Sequence, residues 1–175
     1  MTVLALALAA ALPAAVPTHE AECAAAAGVS LSSRRADVDD PKRAAWLCPV
    51  IVRGQVVDVQ IEREAPYPTH LVVHVDATEK GSIPFRDVRV LLESDEKTLS
   101  VQEPFLKLGD EVLLFLETEA ETKLAAGEYR PCLCAYTVSE DKLVSAIPQH
   151  PAEVSAKTTL VDVRKTVRAQ SECRP

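Results

Sequence analysis

The chain has 175 residues, of which 47% are hydrophobic and 26% charged, and it carries a formal net charge of -7. This length and composition allow one compact domain with a buried core and exclude a disordered segment. They also argue against a nucleic-acid binder, because phosphate contacts need clustered Lys and Arg and only 4% of the residues are aromatic. No apolar stretch approaches the roughly 20 residues that a transmembrane helix needs, so we expect no membrane span.

The first 17 residues read MTVLALALAAALPAAVP, an apolar run followed by small residues and proline. This pattern is typical of a secretory signal peptide, although no Lys or Arg precedes the run and cleavage could fall as late as Cys23. The alternative is a buried N-terminal helix, which would need full burial because it lacks a polar face. We therefore expect a secreted, extracellular protein with a signal peptide at 1–17, a leader and loop at 18–44, and one domain at 45–175.

Five cysteines fit a disulfide-stapled domain in an oxidising compartment and leave one cysteine over. Cys132 and Cys134 are two residues apart, so on a strand they point to the same face about 6–7 Å apart, too far to bond to each other. Bridges from the regions of Cys48 and Cys173 would tie both chain ends to the domain. A zinc site of Cys132, Cys134 and a histidine is the weaker alternative, because a secretory context favours disulfides. The spacing alone leaves the pairing open.

The rest of the chain predicts a short helix, five strands and a C-terminal helix, in that order. An acidic cap before Pro41 starts the short helix, which runs to about Trp46. The first strand changes its apolar phase near Gly54, which predicts a β-bulge. The last helix shows helical spacing of apolar residues after 158, with Ser155 or Thr158 as its cap. The predicted strands are 49–61, 70–75, 88–92, 111–116 and 129–138, and the fifth can continue at 143–147.

Because no helix separates most of these strands, the pattern favours a mainly β fold over a parallel α/β sheet, and specifically a five-stranded closed barrel of the OB type. The second strand carries Leu71 and Val73 on one face and His70 and His74 on the other, which we expect to face solvent. About 13 Å separates the Cα atoms of the two histidines in an extended strand, too far to hold one metal ion.

Three segments carry a family resemblance: a cysteine before an apolar first strand, a glycine turn before a central apolar strand, and a cysteine-bearing strand followed by a helix ending in cysteine. They read CPVIVRGQV at 48–56, FLKLGDEVLLFL at 105–116, and LCAY at 133–136 with the helix that ends at Cys173. Together they resemble the netrin-like module family, which includes the tissue inhibitors of metalloproteinases (TIMPs), over about residues 45–173. A weaker similarity is to the amino-terminal regions of neuregulin-type growth factors and agrin.

The resemblance implies an OB-type, TIMP-like barrel with helices packed on it. It also implies one disulfide between Cys48 and Cys173 and another between Cys23 and Cys134, with Cys132 left over. The inhibitory members of the family place a mature N-terminal cysteine of a Cys-x-Cys pair on the protease zinc. Here Cys23 is followed by two alanines, and cleavage directly before it would have to follow Glu22, an unsuitable residue for signal peptidase.

Enzymatic motifs are missing from the sequence. No cysteine carries the local signature of a nucleophile, and neither a glycine-rich phosphate loop, a Gly-x-Ser-x-Gly elbow nor a His-Glu-x-x-His motif occurs. We therefore expect no enzyme, no catalytic residue, no cofactor and no metal site.

Binding is the remaining function. Tyr67 and Phe105 are the candidate anchors for a partner, near the turns at 64–69 and 94–103, because exposed aromatic residues dominate interface energies. The alternative is that both rings pack on the barrel ends. The sequence thus predicts an extracellular module that binds a protease, a matrix protein or a receptor. Two alternatives stay open: a metalloproteinase inhibitor, and the amino-terminal segment of a neuregulin-like signalling precursor.

Overall fold

The computed structural model describes residues 19–31, 40–62, 66–93, 104–118, 124–146 and 157–173, and the predicted signal peptide lies outside these ranges. Within them the chain is mainly β, with seven strands in one sheet and three helices. The helices are α1 (His19–Ala26), α2 (Pro41–Leu47) and α3 (Leu160–Cys173). The strands are β1 (Val50–Ile61), β2 (Thr69–Lys80), β3 (Asp87–Leu92), β4 (Glu111–Leu116), β5 (Glu128–Tyr129), β6 (Pro131–Ser139) and β7 (Lys142–Ser145).

The sheet has the strand order β5-β3-β2-β1-β4-β6-β7. The first three strands form an antiparallel meander, β4 pairs antiparallel with β1, and β6 pairs antiparallel with β4. The short β5 pairs in parallel with β3, with Arg89 opposite Glu128 and Val90 opposite Tyr129. The predicted fifth strand is therefore two strands, separated by Arg130 alone, and its continuation is the separate strand β7. One nearly continuous segment pairs with β3 on one side and with β4 on the other.

The bulge predicted near Gly54 is confirmed, but the phase change in β1 has a different origin. At Gly54 the extra residue belongs to β2, because Arg53 pairs with Ala77 and Gly54 with Val75. The apolar phase of β1 changes farther on, at Val57, which lies unpaired between Val56 and the next register position. The bulge at Val57 exchanges the two faces of β1 beyond it. This exchange explains why the valines before the bulge have even numbers and those after it have odd numbers.

The core lies on both faces of the sheet. One cluster fills the side that carries Val52, Leu71 and Leu114, and the other lies between the sheet and helices α2 and α3. Every residue of β4 from Val112 to Leu116 is buried, as its apolar run on both parities predicts. On the helix side the Phe115 and Tyr136 rings pack edge to face, with centroids 5.9 Å apart.

The two disulfides differ from the pairing that the family resemblance implied. Cys23 bonds to Cys173, and Cys48 bonds to Cys132, with Cα atoms 6.1 Å and 5.9 Å apart. Cys134 lies outside both disulfides and is only 1% exposed, in the cluster beneath the helices. The implied pairing is wrong because α3 ends beside α1, where Cys173 meets Cys23, while the start of β6 brings Cys132 to Cys48 just after α2.

Helix α1 lies within residues that the sequence predicts as leader and loop. Its apolar residues are alanines and Cys23, so it has no period of large side chains to indicate a helix. Ala24 is fully buried with Val29 and Trp46, and Cys23 packs against this group. Tertiary contacts therefore stabilise this helix, which the pattern of its sequence does not predict.

Helix α3 begins after Thr159 and not after the predicted cap Thr158, and the other predicted cap, Ser155, lies outside the described residues. The carboxylate of Asp162 accepts hydrogen bonds from the backbone N–H and the hydroxyl of Thr159, at 3.0 and 2.8 Å, and the Asp162 N–H donates back to that hydroxyl. This reciprocal arrangement is a capping box. Farther along, Arg164 makes two hydrogen bonds to Glu79 of β2, which raise the pKa of the guanidinium and fasten the helix to the sheet.

We expect Thr159→Ala to lower the free energy of unfolding by about 1 kcal/mol, because it removes the two hydrogen bonds of the hydroxyl and leaves only the one from the backbone N–H. The hydrogen bonds from Thr159 hold the pKa of Asp162 below its ordinary value. Their contribution is therefore complete above the unfolded-state pKa of about 3.9 and is lost as the pH falls through the lower folded-state pKa. Urea unfolding between pH 2 and 7 measures both effects. A variant as stable as the exposed-site control Val161→Ala at pH 7 would contradict the role of the cap.

Candidate functional site

The turn before β4, called here the Phe105 turn (residues 104–110), is hydrogen bonded to neighbouring segments through its backbone. The Phe105 N–H donates to the carbonyl of Ala146 at 2.7 Å, and the Gly109 N–H donates to the carbonyl of Val56 at 2.8 Å. Gly109 has a φ of +90°, a conformation that glycine adopts without strain. Both ends of the turn are therefore anchored to neighbouring segments of the sheet.

This turn presents apolar side chains to solvent. Phe105 is 52% exposed and Leu108 is 68% exposed, whereas Leu106 between them is buried in the core. The ammonium group of Lys107 lies 5.5 Å from the centre of the Phe105 ring, a cation–π contact. Two apolar side chains with an adjacent cation, on a backbone that is already ordered, are suited to protein recognition because little entropy is lost on binding.

Exposed apolar residues continue from the Phe105 turn along the end of β1. Val57 follows Val56, which hydrogen bonds with the turn through its carbonyl and its N–H. Val57, Val59 and Ile61 are 43%, 36% and 41% exposed. The phase change in β1 is the sequence signal for this apolar edge, but alone it indicates a bulge and does not distinguish exposed valines from buried ones.

Tyr67, the other predicted anchor, lies in the turn between β1 and β2 and is partly covered by the protein itself. The guanidinium of Arg130 lies 5.2 Å from the centre of its ring. Arg130 in turn donates a hydrogen bond to Glu93 at 2.9 Å. For Tyr67 this arrangement favours the alternative of packing at the end of the sheet, whereas Phe105 keeps half of its surface available. The loop at 94–103 lies outside the described residues.

The two histidines of β2 have different environments. His70 is only 6% exposed, so the prediction that it faces solvent is wrong. It lies between Gln60 of β1 and Leu91 of β3, and its Nδ1 atom is 3.4 Å from a carboxylate oxygen of Glu62. The side chains of the neighbouring strands cover His70, and a single strand's alternation could not reveal them.

His74 remains exposed, as predicted, and its Nδ1 atom lies 2.7 Å from Asp87. Arg89 completes a polar network on this face of the sheet, with ion pairs to Glu62 at 3.6 Å and to Glu128 at 3.4 Å. Arg89 thus lies between two carboxylates, and the His74 ring is hydrogen bonded to Asp87. The arrangement is that of a solvated sheet face, with cations and carboxylates interleaved.

A cleft of about 240 Å³ lies among the three helices. Its polar side chains are Lys42, Asp162, Lys165 and Thr166. Asp162 is engaged in the capping box, and the Thr166 hydroxyl donates to the carbonyl of Asp162 at 3.0 Å. The two side chains of the cleft that can accept a hydrogen bond, Asp162 and Thr166, are thus already hydrogen bonded within the start of α3.

A second cluster of chemically active side chains was not predicted. His19, Cys23 and Cys173 offer an imidazole nitrogen and two sulfurs that all lie within 4.8 Å of one another. His19 and Cys23 are one helical turn apart on α1, while Cys173 ends α3. The sequence could not indicate this group, because Cys173 is 150 residues from Cys23 and the two helices meet only in the folded chain.

Among the described residues, no helix is long and apolar enough to cross a membrane. No protein-family model matches this chain, and no curated protein is similar to it. The resemblance to netrin-like modules therefore rests on the three sequence segments alone, and a function must be argued from the surfaces and clusters described above.

Proposed function

We propose that this protein is a secreted, non-enzymatic module of the netrin-like type that binds an extracellular protein through the Phe105 turn. The observation that carries the proposal is the combination of a rigid backbone with two protruding apolar side chains, Phe105 and Leu108. Isolated exposed apolar residues are common, but here they lie on one anchored turn and continue toward Val57. A preformed apolar surface of this kind favours a protein partner.

The OB-type barrel is part of the same proposal. A five-stranded OB barrel closes when its last strand pairs with both the third and the fourth. The pairing of β5 with β3, and of β6 with β4, supports such closure, because Arg130 alone separates β5 from β6. Taken as one bent strand, β5 and β6 bring the number of barrel strands to five, with β7 as an addition.

The extracellular location is also a proposal, and the disulfides support it. Two disulfides connect segments 150 and 84 residues apart in the sequence, the type of long-range bridge that persists in oxidising compartments. Secretion would follow from the apolar N-terminal segment, which has the length and composition of a signal peptide.

The metalloproteinase-inhibitor alternative is less well supported than general protein binding. That mechanism needs the α-amine of an N-terminal cysteine, but Cys23 lies inside α1, preceded by four residues of the helix. Cleavage before Cys23 would remove the first turn of α1. The Phe105 turn requires no particular N-terminus, so binding through it is independent of where the signal peptide ends.

The test is to express the full chain in a secretory host and measure binding of the secreted protein to a panel of metalloproteinase catalytic domains, matrix proteins and receptor ectodomains. We expect at least one of these proteins to bind. For that partner, Phe105→Ala and Leu108→Ala should each weaken binding by about thirtyfold, or about 2 kcal/mol, as expected for an interface hot spot.

Val161→Ala is the matched control, since Val161 is a 46% exposed apolar residue on α3. It should leave the affinity unchanged. Retention of full affinity in the Phe105→Ala/Leu108→Ala double variant would refute this binding surface. The extracellular part of the proposal would be refuted if the expressed protein did not appear in the culture medium, or if peptide mass mapping found no disulfides in it.

A further inference from the structure

The side chains of His19, Cys23 and Cys173 form a compact donor set at the junction of α1 and α3. His19 Nε2 lies 3.9 Å from Cys23 Sγ, and the third donor, Cys173 Sγ, is within 4.8 Å of both. Residues four apart on a helix share one face, which is why His19 and Cys23 point together toward the end of α3. Imidazole and sulfur are the donors that zinc and other thiophilic ions prefer.

In the disulfide form neither sulfur is a thiolate, so the site is not available to a metal ion. Reduction would convert the set to two thiolates and one imidazole. Around tetrahedral zinc, with Zn–S of about 2.3 Å and Zn–N of about 2.0–2.1 Å, neighbouring donor atoms lie roughly 3.6–3.8 Å apart. The distance of 3.9 Å between His19 Nε2 and Cys23 Sγ is only slightly longer than this spacing. The two sulfurs would need to separate by about 1.7 Å, which side-chain rotation can supply.

We propose that His19, Cys23 and Cys173 bind a zinc ion when the Cys23–Cys173 disulfide is reduced. A dithiol reductant supplies two electrons and two protons, the S–S bond breaks, both cysteines become thiols, and the reductant becomes its own disulfide. Zinc binding then releases the two thiol protons, and the neutral imidazole of His19 completes three protein ligands. The zinc ion then replaces the disulfide as the cross-link between α1 and α3. This proposal is independent of the Phe105 turn.

The surroundings suit such a site. His19 is exposed and both cysteines are half-buried, so an ion can reach the donors from solvent. On the inner side the cysteines pack against the apolar group of Ala24, Val29 and Trp46. Three protein ligands leave a fourth position for water or an external ligand, and two thiolates balance the charge of the ion.

The test uses the full-length mature protein, from a preparation whose amino-terminal sequence includes His19. A water-soluble phosphine replaces the dithiol, because it reduces disulfides without offering competing thiolates; it becomes the phosphine oxide with oxygen from water. Zinc affinity is measured by competition with a chelating dye. We expect one ion bound at this site in the reduced protein, and X-ray absorption at the zinc edge should show two sulfur ligands and at least one nitrogen ligand.

Reduction also frees the thiols of Cys48 and Cys132, and Cys134 lies outside both disulfides, so the variants must identify the site. His19→Ala should weaken zinc binding tenfold or more. The neighbouring exposed substitution Glu20→Ala and the remote imidazole substitution His74→Ala should not change it. Amide hydrogen exchange gives a second readout: in the reduced protein, zinc should restore the protection of α1 in the wild type and not in His19→Ala.

Three outcomes would overturn the proposal. The first is a reduced protein that binds no more zinc than the oxidised protein. The second is a His19→Ala variant that binds zinc as tightly as the wild type. The third is an amide exchange rate of α1 that zinc leaves unchanged. The oxidised His19→Ala variant should fold and unfold like the wild type, because His19 is exposed, and this comparison separates loss of the ligand from loss of the fold.

Discussion

Replacing Cys48 and Cys132 together by alanine is expected to lower the free energy of unfolding by about 4 kcal/mol. The bridge closes a loop with a sequence separation of 84 residues, and in the chain-entropy model removing such a loop constraint costs roughly 4–5 kcal/mol. Both residues must change at once, because a single substitution would leave a reactive thiol that can form disulfides between molecules. Urea unfolding under non-reducing conditions measures the loss.

The matched control is the Cys23→Ala/Cys173→Ala variant. Its loop is longer, with a sequence separation of 150 residues, so chain entropy alone would make its effect larger. We expect a smaller effect, because α1 packs mainly against α3 and the Trp46 cluster and can detach while the sheet stays folded. If the free energy of unfolding fell as much or more in this control, α1 would unfold together with the sheet, and the expectation that it can detach would be wrong.

Gly54→Ala is expected to lower the free energy of unfolding by about 3 kcal/mol. A Cβ atom at this position would overlap the backbone carbonyl oxygen of His74 and lie 3.1 Å from a methyl group of Val73. Because the colliding atom belongs to the backbone of the paired strand, β1 and β2 must move apart, and overpacking of this kind costs about 1–3 kcal/mol or more. Thermal and urea unfolding at pH 7 both report the change.

Gly109→Ala is the control that distinguishes the steric overlap at Gly54 from backbone strain. Its added Cβ would meet nothing within 4 Å, but its φ of +90° is unfavourable for any residue with a Cβ. We expect a loss of about 1 kcal/mol from strain alone. If Gly54→Ala cost no more than Gly109→Ala, the close approach of β1 and β2 at the bulge would not limit stability.

For the candidate sites, the sequence identified single residues better than groups. Phe105 was predicted as an anchor because it is an aromatic residue beside a turn, and it is exposed. Its partner Leu108 was not singled out, because Leu106 and Leu108 look alike in sequence and only the fold buries one and exposes the other. The prediction that His70 faces solvent was wrong for the same reason. Alternation assigns the residue to a face of β2, but the neighbouring strands decide whether water reaches that face.

Local sequence patterns predict the β periods of the first four strands, the capped helix α2, the bulge beside Gly54 and the common face of Cys132 and Cys134. Each of these depends on backbone geometry within a few residues. The cysteine pairing, the docking of α1, the burial of His70 and the contact of His19 with two cysteines are visible only in the folded chain. Those features join positions as far as 150 residues apart, and contacts over such separations arise from packing, which no short-range pattern encodes.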